Sequence, residues 1–384
     1  MNVIKNFSPY LGNEEAISVK KVIESGWLTN GKITIKFENK IKKYLKCENV
    51  LAVNSCTSGM NSALHALNLK KGDEIITSAN TFVSTINNLY QFGLKIKLVD
   101  IELDTYMLDL NKLKKAISKR TKCIIITHYG GVPFKMDKII NIVKKKKIKI
   151  IEDAATALGS KYKNKFVGSN KHSICVFSLY ANKIITTGEG GIITCKNKNL
   201  AKKIKTINSN GINKDPWSRK KNKVQYQYNV TYPGFKYNFT DIQSAIGIEQ
   251  LKKLSSIVRY RKKLREFYLV ELKDLLEKKI IKIQNINKDQ DPAFYIFTIL
   301  LNKEKTNKNR DELIEYLRKN KINTTVHYIP ANKHLFYKKK FRNFRLENTN
   351  YIYENIISLP FHNHLKKNDV KFICNKIQKF FAEK

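Results

Sequence analysis

Acid is scarce in this sequence: 32 Asp and Glu stand against 73 Lys and Arg, a formal net charge of +41. Such a balance ordinarily points to nucleic acid or an anionic membrane as a partner. Two further absences argue against it. No helix-turn-helix, zinc-finger or aromatic stacking motif accompanies the charge. The lysines are also spread along nearly the whole chain, with short clusters at 144–147 and 338–340, amid heavy use of Asn and Ile. The pattern reads as drift in an AT-rich genome, leaving solvated lysine faces and a field that favours anionic ligands, with nucleic acid an unexpected partner.

The six cysteines, Cys47, Cys56, Cys123, Cys175, Cys195 and Cys374, include no Cys-x-x-Cys pair, so neither a zinc site nor a disulfide framework is expected. No apolar run is long enough to span a bilayer, and residues 1–10 lack the apolar core of a secretory signal. A cytoplasmic protein with reduced thiols and no membrane partner is the expectation. Internal repeats and low-complexity linkers are absent too. What is present is 384 residues, 42% of them hydrophobic, enough for two domains and a sizeable core.

From 49 to about 196, short β-rich runs alternate with helical patterns. Runs at 50–53, 74–77, 96–99, 123–126 and 148–151 read as buried strands, and 58–69 and 137–145 as amphipathic helices. This alternation implies an α/β fold with a mostly parallel sheet covered by helices on both faces. Beyond about 250 the pattern changes to a long charged helix over 251–277, a strand at 293–301, and helices at 310–320 and 367–381. A large domain over 1–250 and a smaller α+β domain over 251–384 follow, with a polar, mobile loop expected at 213–228.

One lysine has neighbours that suggest chemistry. Ser178-Leu179-Tyr180-Ala181-Asn182-Lys183-Ile184-Ile185 leads into Gly188-Glu189-Gly190-Gly191. A lysine forms an imine only through its neutral amine, and apolar neighbours favour deprotonation. The glycines allow a close turn before the strand at 192–194 and leave room for a cofactor. Alone, the segment reads equally as a surface lysine before a tight turn. Thirty positions earlier, however, Glu152-Asp153-Ala154-Ala155 closes a buried strand. A carboxylate there can pair with a protonated pyridine nitrogen, although alone it reads as an acidic helix cap. Further upstream, Asn54-Ser55-Cys56-Thr57-Ser58-Gly59 follows a strand and opens a helix, an anion cradle or an ordinary cap.

In order and spacing these segments resemble the nucleotide-sugar aminotransferases of the StrS/DegT type, which are fold-type I pyridoxal-phosphate enzymes. The resemblance covers nearly the whole chain. It includes an opening motif at 25–31, a ring-stacking segment at 81–85, a subunit-crossing loop at 233–243, and the signatures His327-Tyr328-Ile329-Pro330 and Ser358-Leu359-Pro360. By matched position, the resemblance implies that Lys183 holds pyridoxal 5'-phosphate as an imine and shuttles a proton. Asp153 would pair with the pyridine nitrogen, Phe82 would stack on the ring, and Thr57, Ser58 and Ser178 would bind the phosphate. Thr156 would contact the ring hydroxyl, and Asn238 would reach in from a neighbouring subunit, implying a homodimer with shared sites. Thr29 and His327 would lie on the substrate side, His327 reading equally as a capped structural histidine.

Three positions depart from the family pattern: Thr156 where Gln or His is frequent, Lys32 where proline is common, and Asn332 where His often stands. The implied reaction is a ping-pong transfer of the amino group of L-glutamate to a nucleotide-linked keto-sugar. The stretch at 209–217, with 233–243, resembles members that aminate C4. The alternatives are a C3 aminotransferase and a sugar dehydratase; dehydratase relatives carry histidine where this chain has Lys183. A nucleic-acid-binding regulator is the rival outside enzymes.

Overall fold

In a computed structural model describing residues 3–213 and 228–383, the β-rich runs of the first half become strands. They are β1 (Asn49–Val53), β2 (Glu74–Ser78), β3 (Lys95–Val99), β4 (Thr121–Thr127), β5 (Lys149–Asp153), the short pair β6 (Lys161–Tyr162) and β7 (Lys165–Phe166), β8 (Ile174–Ser178) and β9 (Gly191–Cys195). Seven of them form one sheet in the order β1-β9-β8-β5-β4-β2-β3. Neighbours are parallel except where β9 lies antiparallel to both β1 and β8.

The strands are apolar on both faces because both are covered. Alternate residues serve different cores: Ile124 and Ile126 face one, Cys123 and Ile125 the other. Helices α1 (Asn13–Glu24), α2 (Lys32–Leu45), α3 (Cys56–Ala66), α4 (Val83–Gln91), α5 (Leu110–Ala116), α6 (Met136–Val143) and α7 (Lys198–Ile207) occupy the first 213 residues. Phe37, Ile41 and Leu45 of α2 pack into the first core, while Met60 and Leu64 of α3 and Ile204 of α7 pack into the second.

The long charged pattern begins earlier than its sequence signal, at α8 (Asp241–Glu271), because Thr240 and Gln243 close a capping box there. The chain breaks at Leu272 before α9 (Lys273–Glu277). Ile248, Leu254 and Ile257 of α8 belong to the core of the large sheet, whereas Leu264 and Tyr268 belong to a second core. The division suggested at residue 250 therefore falls inside a helix common to both.

That second core lies beneath β10 (Ile281–Lys282), β12 (Phe297–Leu301) and β13 (Ile356–Leu359), an antiparallel sheet covered by α10 (Arg310–Lys319) and α13 (Lys367–Ala382). β11 (Gln290–Asp291) instead joins β6 and β7, and α11 (Leu335–Lys338) and α12 (Glu347–Asn355) complete the helices. The strand expected from 293 begins only at Phe297. Phe294 has φ of 52°, and the Tyr295 N–H donates to Gly130 O at 2.9 Å, so this segment crosses to the large domain before entering its own sheet.

The start of the chain is strapped to the second domain: the Ile4 N–H donates to Lys321 O at 2.8 Å, and Phe361 N–H donates to Asn6 O at 3.1 Å. The loop expected at 213–228, and with it the end of the 209–217 stretch, falls largely outside the described residues. Among the described residues no helix is long and apolar enough to cross a membrane, and no cluster of His, Cys, Asp and Glu is arranged to hold a metal.

Candidate active site

Because β1, β2, β4, β5 and β8 run the same way, their C-terminal ends open on one edge of the sheet, where ligand sites form in open α/β folds. The reversed strand β9 brings its first residue, Gly191, to the same edge. Asp153 ends β5 there and is 5% exposed. Its Oδ2 accepts from Thr81 Oγ1 at 3.2 Å and Thr85 Oγ1 at 2.9 Å, and its Oδ1 accepts from the Ala155 N–H at 3.2 Å. A carboxylate held by three donors stays in one orientation and retains lone pairs for a ligand. Beside it, His128 Nδ1 accepts from the Phe134 N–H, so Nε2 carries the proton and donates to the buried Glu152 at 2.9 Å. This pair fixes the adjoining ends of β4 and β5.

The expected anion cradle lies at the start of α3, with its hydroxyls distributed differently from expectation. Ser55 is the N-cap: its Oγ accepts from the Ser58 N–H at 3.0 Å, while Ser58 Oγ accepts from the Ser55 N–H at 3.1 Å. Ser58 is thereby buried in a reciprocal capping box, and Thr57 alone of the pair presents an exposed hydroxyl. The N–H groups of Cys56 and Thr57, first in the helix, have no intrahelical acceptor and suit an anion. Ser178 Oγ, at the end of β8, accepts from the Tyr180 N–H at 3.2 Å. A Cβ on Gly191 would lie 2.7 Å from Ser55 C and O and 2.8 Å from Cys56 N. This glycine permits backbone contact between β9 and α3, so the room it leaves is taken by protein.

Lys183 lies on the loop between β8 and β9, half-buried. Its Nζ stands over the Tyr295 ring, 4.4 Å from the centroid. Burial lowers its pKa below the ordinary lysine value, opposed by the nearby carboxylate of Asp153. The amine and the carboxylate thus belong to one site. The neighbouring Asn182 Oδ1 is buried without a hydrogen-bond partner among the described residues. Phe82, the N-cap of α4, is 57% exposed although it follows Thr81, which holds Asp153. Among the described residues its one ring contact is with Tyr328, near edge-on at 5.9 Å, leaving an aromatic face for a planar ligand.

Other expected residues are placed differently. Thr156 is buried, and its hydroxyl donates to His128 O at 2.9 Å, so it has only lone pairs to offer a ring hydroxyl. His327 is 7% exposed among Phe7, Tyr295 and Tyr328, with Nδ1 2.8 Å from Ser358 Oγ. Burial, reinforced by the charge of Lys183, pushes its pKa down to about 3, which makes it a neutral wall of the site. Thr29 is exposed, and its carbonyl accepts from the Asp241 N–H at 3.2 Å. The motif around it serves α2: Asp241 accepts from the N–H groups of Gly31, Ile33 and Thr34 and caps a helix whose own N-cap, Gly31, has no side chain. Asn238 forms a bridge with Val53 of its own chain, at the mouth of the cradle.

Sequence reasoning assigned no role to Thr81, Thr85, Phe7 or Tyr295. The first two carry a local signal, hydroxyls four positions apart across a helix start, which places them on one face. Phe7 and Tyr295 carry none, since each reaches the site from a distant part of the chain.

Comparison with known proteins agrees with this geometry. The chain is 38% identical to an uncharacterized protein, MJ1066, of Methanocaldococcus jannaschii over 379 residues, 98% of this chain and 97% of the relative. It is 32% identical to the spore coat polysaccharide biosynthesis protein SpsC of Bacillus subtilis over 373 residues, 96% of this chain and 95% of the relative. Spr1654 of Streptococcus pneumoniae, solved in its PMP form, matches with a TM-score of 0.90 at 25% identity, covering 99% of both chains. Its PLP form matches with a TM-score of 0.89. Residues 9–378 match the model of the DegT/DnrJ/EryC1/StrS aminotransferase family, and the chain belongs to that family of pyridoxal-phosphate-dependent sugar aminotransferases.

Proposed function

We propose that this enzyme transfers the amino group of L-glutamate to C4 of a nucleotide-linked keto-sugar, giving an amino sugar for glycan synthesis in the cytoplasm. One observation carries the reading: a half-buried amine, a carboxylate fixed by three donors and an open helix N-terminus converge at one sheet edge. These residues fit pyridoxal phosphate, which when bound supplies an electron sink for the charge left as an amino acid's α-proton departs.

The rest is protein chemistry. The N–H groups of Cys56 and Thr57 and the hydroxyls of Thr57 and Ser178 receive the phosphate. Asp153 accepts from the ring N–H, and Thr81 and Thr85 prevent its carboxylate from turning away. Phe82 covers one ring face. Lys183, whose pKa burial lowers, takes the α-proton at Nζ and returns it to the acceptor carbon. A lysine at this position, where histidine marks the dehydratase relatives, supports amino transfer over hydroxyl removal. The basic surface favours a diphosphate-bearing substrate. The loop anchored by the bridge of Asn238 to Val53 is the segment that would reach the site of a partner subunit in a homodimer. SpsC, named for spore coat polysaccharide biosynthesis, supports a glycan product.

The test is optical and chemical. Protein loaded with pyridoxal phosphate is expected to show a visible absorption band that bleaches on adding L-glutamate and is missing in Lys183→Ala. Mass spectrometry with a panel of nucleotide 4-keto and 3-keto sugars is then expected to find amine incorporation with the 4-keto members. A colourless protein that binds DNA with a steep salt dependence would overturn the reading.

A further inference from the structure

Tyr295 is 1% exposed, and the amine of Lys183 lies over its ring, 4.4 Å from the centroid. That ring is held from several directions. Phe7 stacks on it at 5.5 Å with 14° between the planes, and the His327 ring meets it edge-on at 5.8 Å. Its N–H donates to Gly130 O at 2.9 Å and its carbonyl accepts from Arg261 Nη1 at 3.0 Å. Gly131, with φ of 86°, makes that approach possible, since a Cβ there would stand 2.9 Å from Tyr295 N.

Phe7 is itself delivered by a strap. The carbonyls of Lys5, Asn6 and Pro9 accept from His362 Nε2 at 3.0 Å, the Phe361 N–H at 3.1 Å and His364 Nε2 at 3.1 Å. So much support for one ring, in contact with one amine, calls for a reason.

We infer that Tyr295 is a positioning residue for Lys183: its ring face seats the Nζ ammonium whenever the amine is not covalently engaged, and Phe7 holds that ring in place. The inference rests on reading Lys183 as the cofactor lysine. The chemistry is electrostatic, because a desolvated cation over an aromatic face is attracted by the ring quadrupole. The titratable groups beside the amine on other elements are Asp153 at the end of β5, the Cys56 thiol at the start of α3, which burial keeps protonated, and the His327 ring, which burial keeps neutral. With Nζ over Tyr295, the Asp153 carboxylate keeps its hydrogen bonds to Thr81, Thr85 and Ala155.

The test reads the amine directly. In the full chain stripped of cofactor, the rate at which acetic anhydride labels Lys183 is followed against pH by peptide mass spectrometry, which gives its apparent pKa. Tyr295→Leu, which keeps bulk and removes the ring, is expected to lower that value by about one pH unit. Tyr295→Phe is expected to match the wild type, and Phe7→Ala to shift in the same direction by less. Superimposable curves for Tyr295→Leu and wild type would overturn the inference. So would an equal shift in Tyr295→Phe, which would place the effect in the phenol hydroxyl. If Tyr295→Leu fails to fold by circular dichroism, Phe7→Ala decides, and an unshifted curve there rejects the seat. The labelling curve is independent of the absorption band, so failure of the cofactor reading appears separately, as a colourless loaded protein.

Discussion

A single side chain, His327, shows how the site draws on stability. Burial holds its pKa at about 3 in the folded protein, against 6.5 for a free imidazole, so the folded ring stays neutral while the unfolded chain takes up a proton. The contribution is full above pH 6.5 and is lost as pH falls toward the folded value. From pH 6.5 to about pH 5 the loss amounts to about 2 kcal/mol. His362, held at about 4 by burial, adds to the loss in the same window. Urea midpoints measured from pH 7 to 5 are expected to fall in the wild type and to fall less steeply in His327→Asn. Equal slopes would mean that the imidazole is solvated. The residue was legible in the sequence, in the motif at 327–330, but its burial was not, because Phe7 and Tyr295, which enclose it, lie far away along the chain.

Among the elements, the junction of β9 with α3 has little freedom. An alanine at Gly191 would force its Cβ against the backbone of Ser55 and Cys56, and backbone, unlike a flexible side chain, cannot rotate aside. Gly191→Ala is expected to cost about 2 kcal/mol of stability and to weaken cofactor binding, because the strand pushes the helix start out of line. Thermal melts and an absorbance titration with pyridoxal phosphate check both effects. The strands of the large sheet were legible because each is a short apolar run bounded by turns, and Ser55 to Gly59 was legible because capping is written in adjacent residues. The segment at 293–296 was misread as strand for a related reason. Its apolar run is continuous with β12, and nothing local signals the hydrogen bond from Tyr295 to Gly130 that turns it aside. Thr81 and Thr85 stood in a recognised motif, yet their grip on Asp153 depends on β2 and β5 lying in one sheet with β4 between them.

At the scale of the molecule, the two cores share α8, and Arg261 ties them across it. Its guanidinium is 3% exposed and donates to the carbonyls of Phe294, Tyr295 and Phe361 at 3.1, 3.0 and 3.3 Å, and to Asn363 Oδ1 at 3.1 Å. Burial lowers its pKa to about 10, still leaving it charged at neutral pH. Arg261→Leu leaves three carbonyls without that donor and is expected to destabilise the protein by about 3 kcal/mol or more. Guanidinium unfolding followed by circular dichroism and by tryptophan fluorescence is expected to show both transitions moving together; separate transitions would indicate cores that unfold independently. The net charge of +41 was plain in the sequence, whereas the burial of a cation such as Arg261 became visible only in the fold.

The strap across the start of the chain bears on how the protein is made. Lys5 and the His362 that grips it are 357 positions apart, so the segment carrying Phe7 is held only after residue 362 has been made. Among the described residues the large sheet takes its strands from 49–195, all made before Tyr295 and before the 361–364 segment that holds the strap. A nascent chain therefore presents Lys183 before the Tyr295 ring that meets it has been made, and before the strap that places Phe7 against that ring can close.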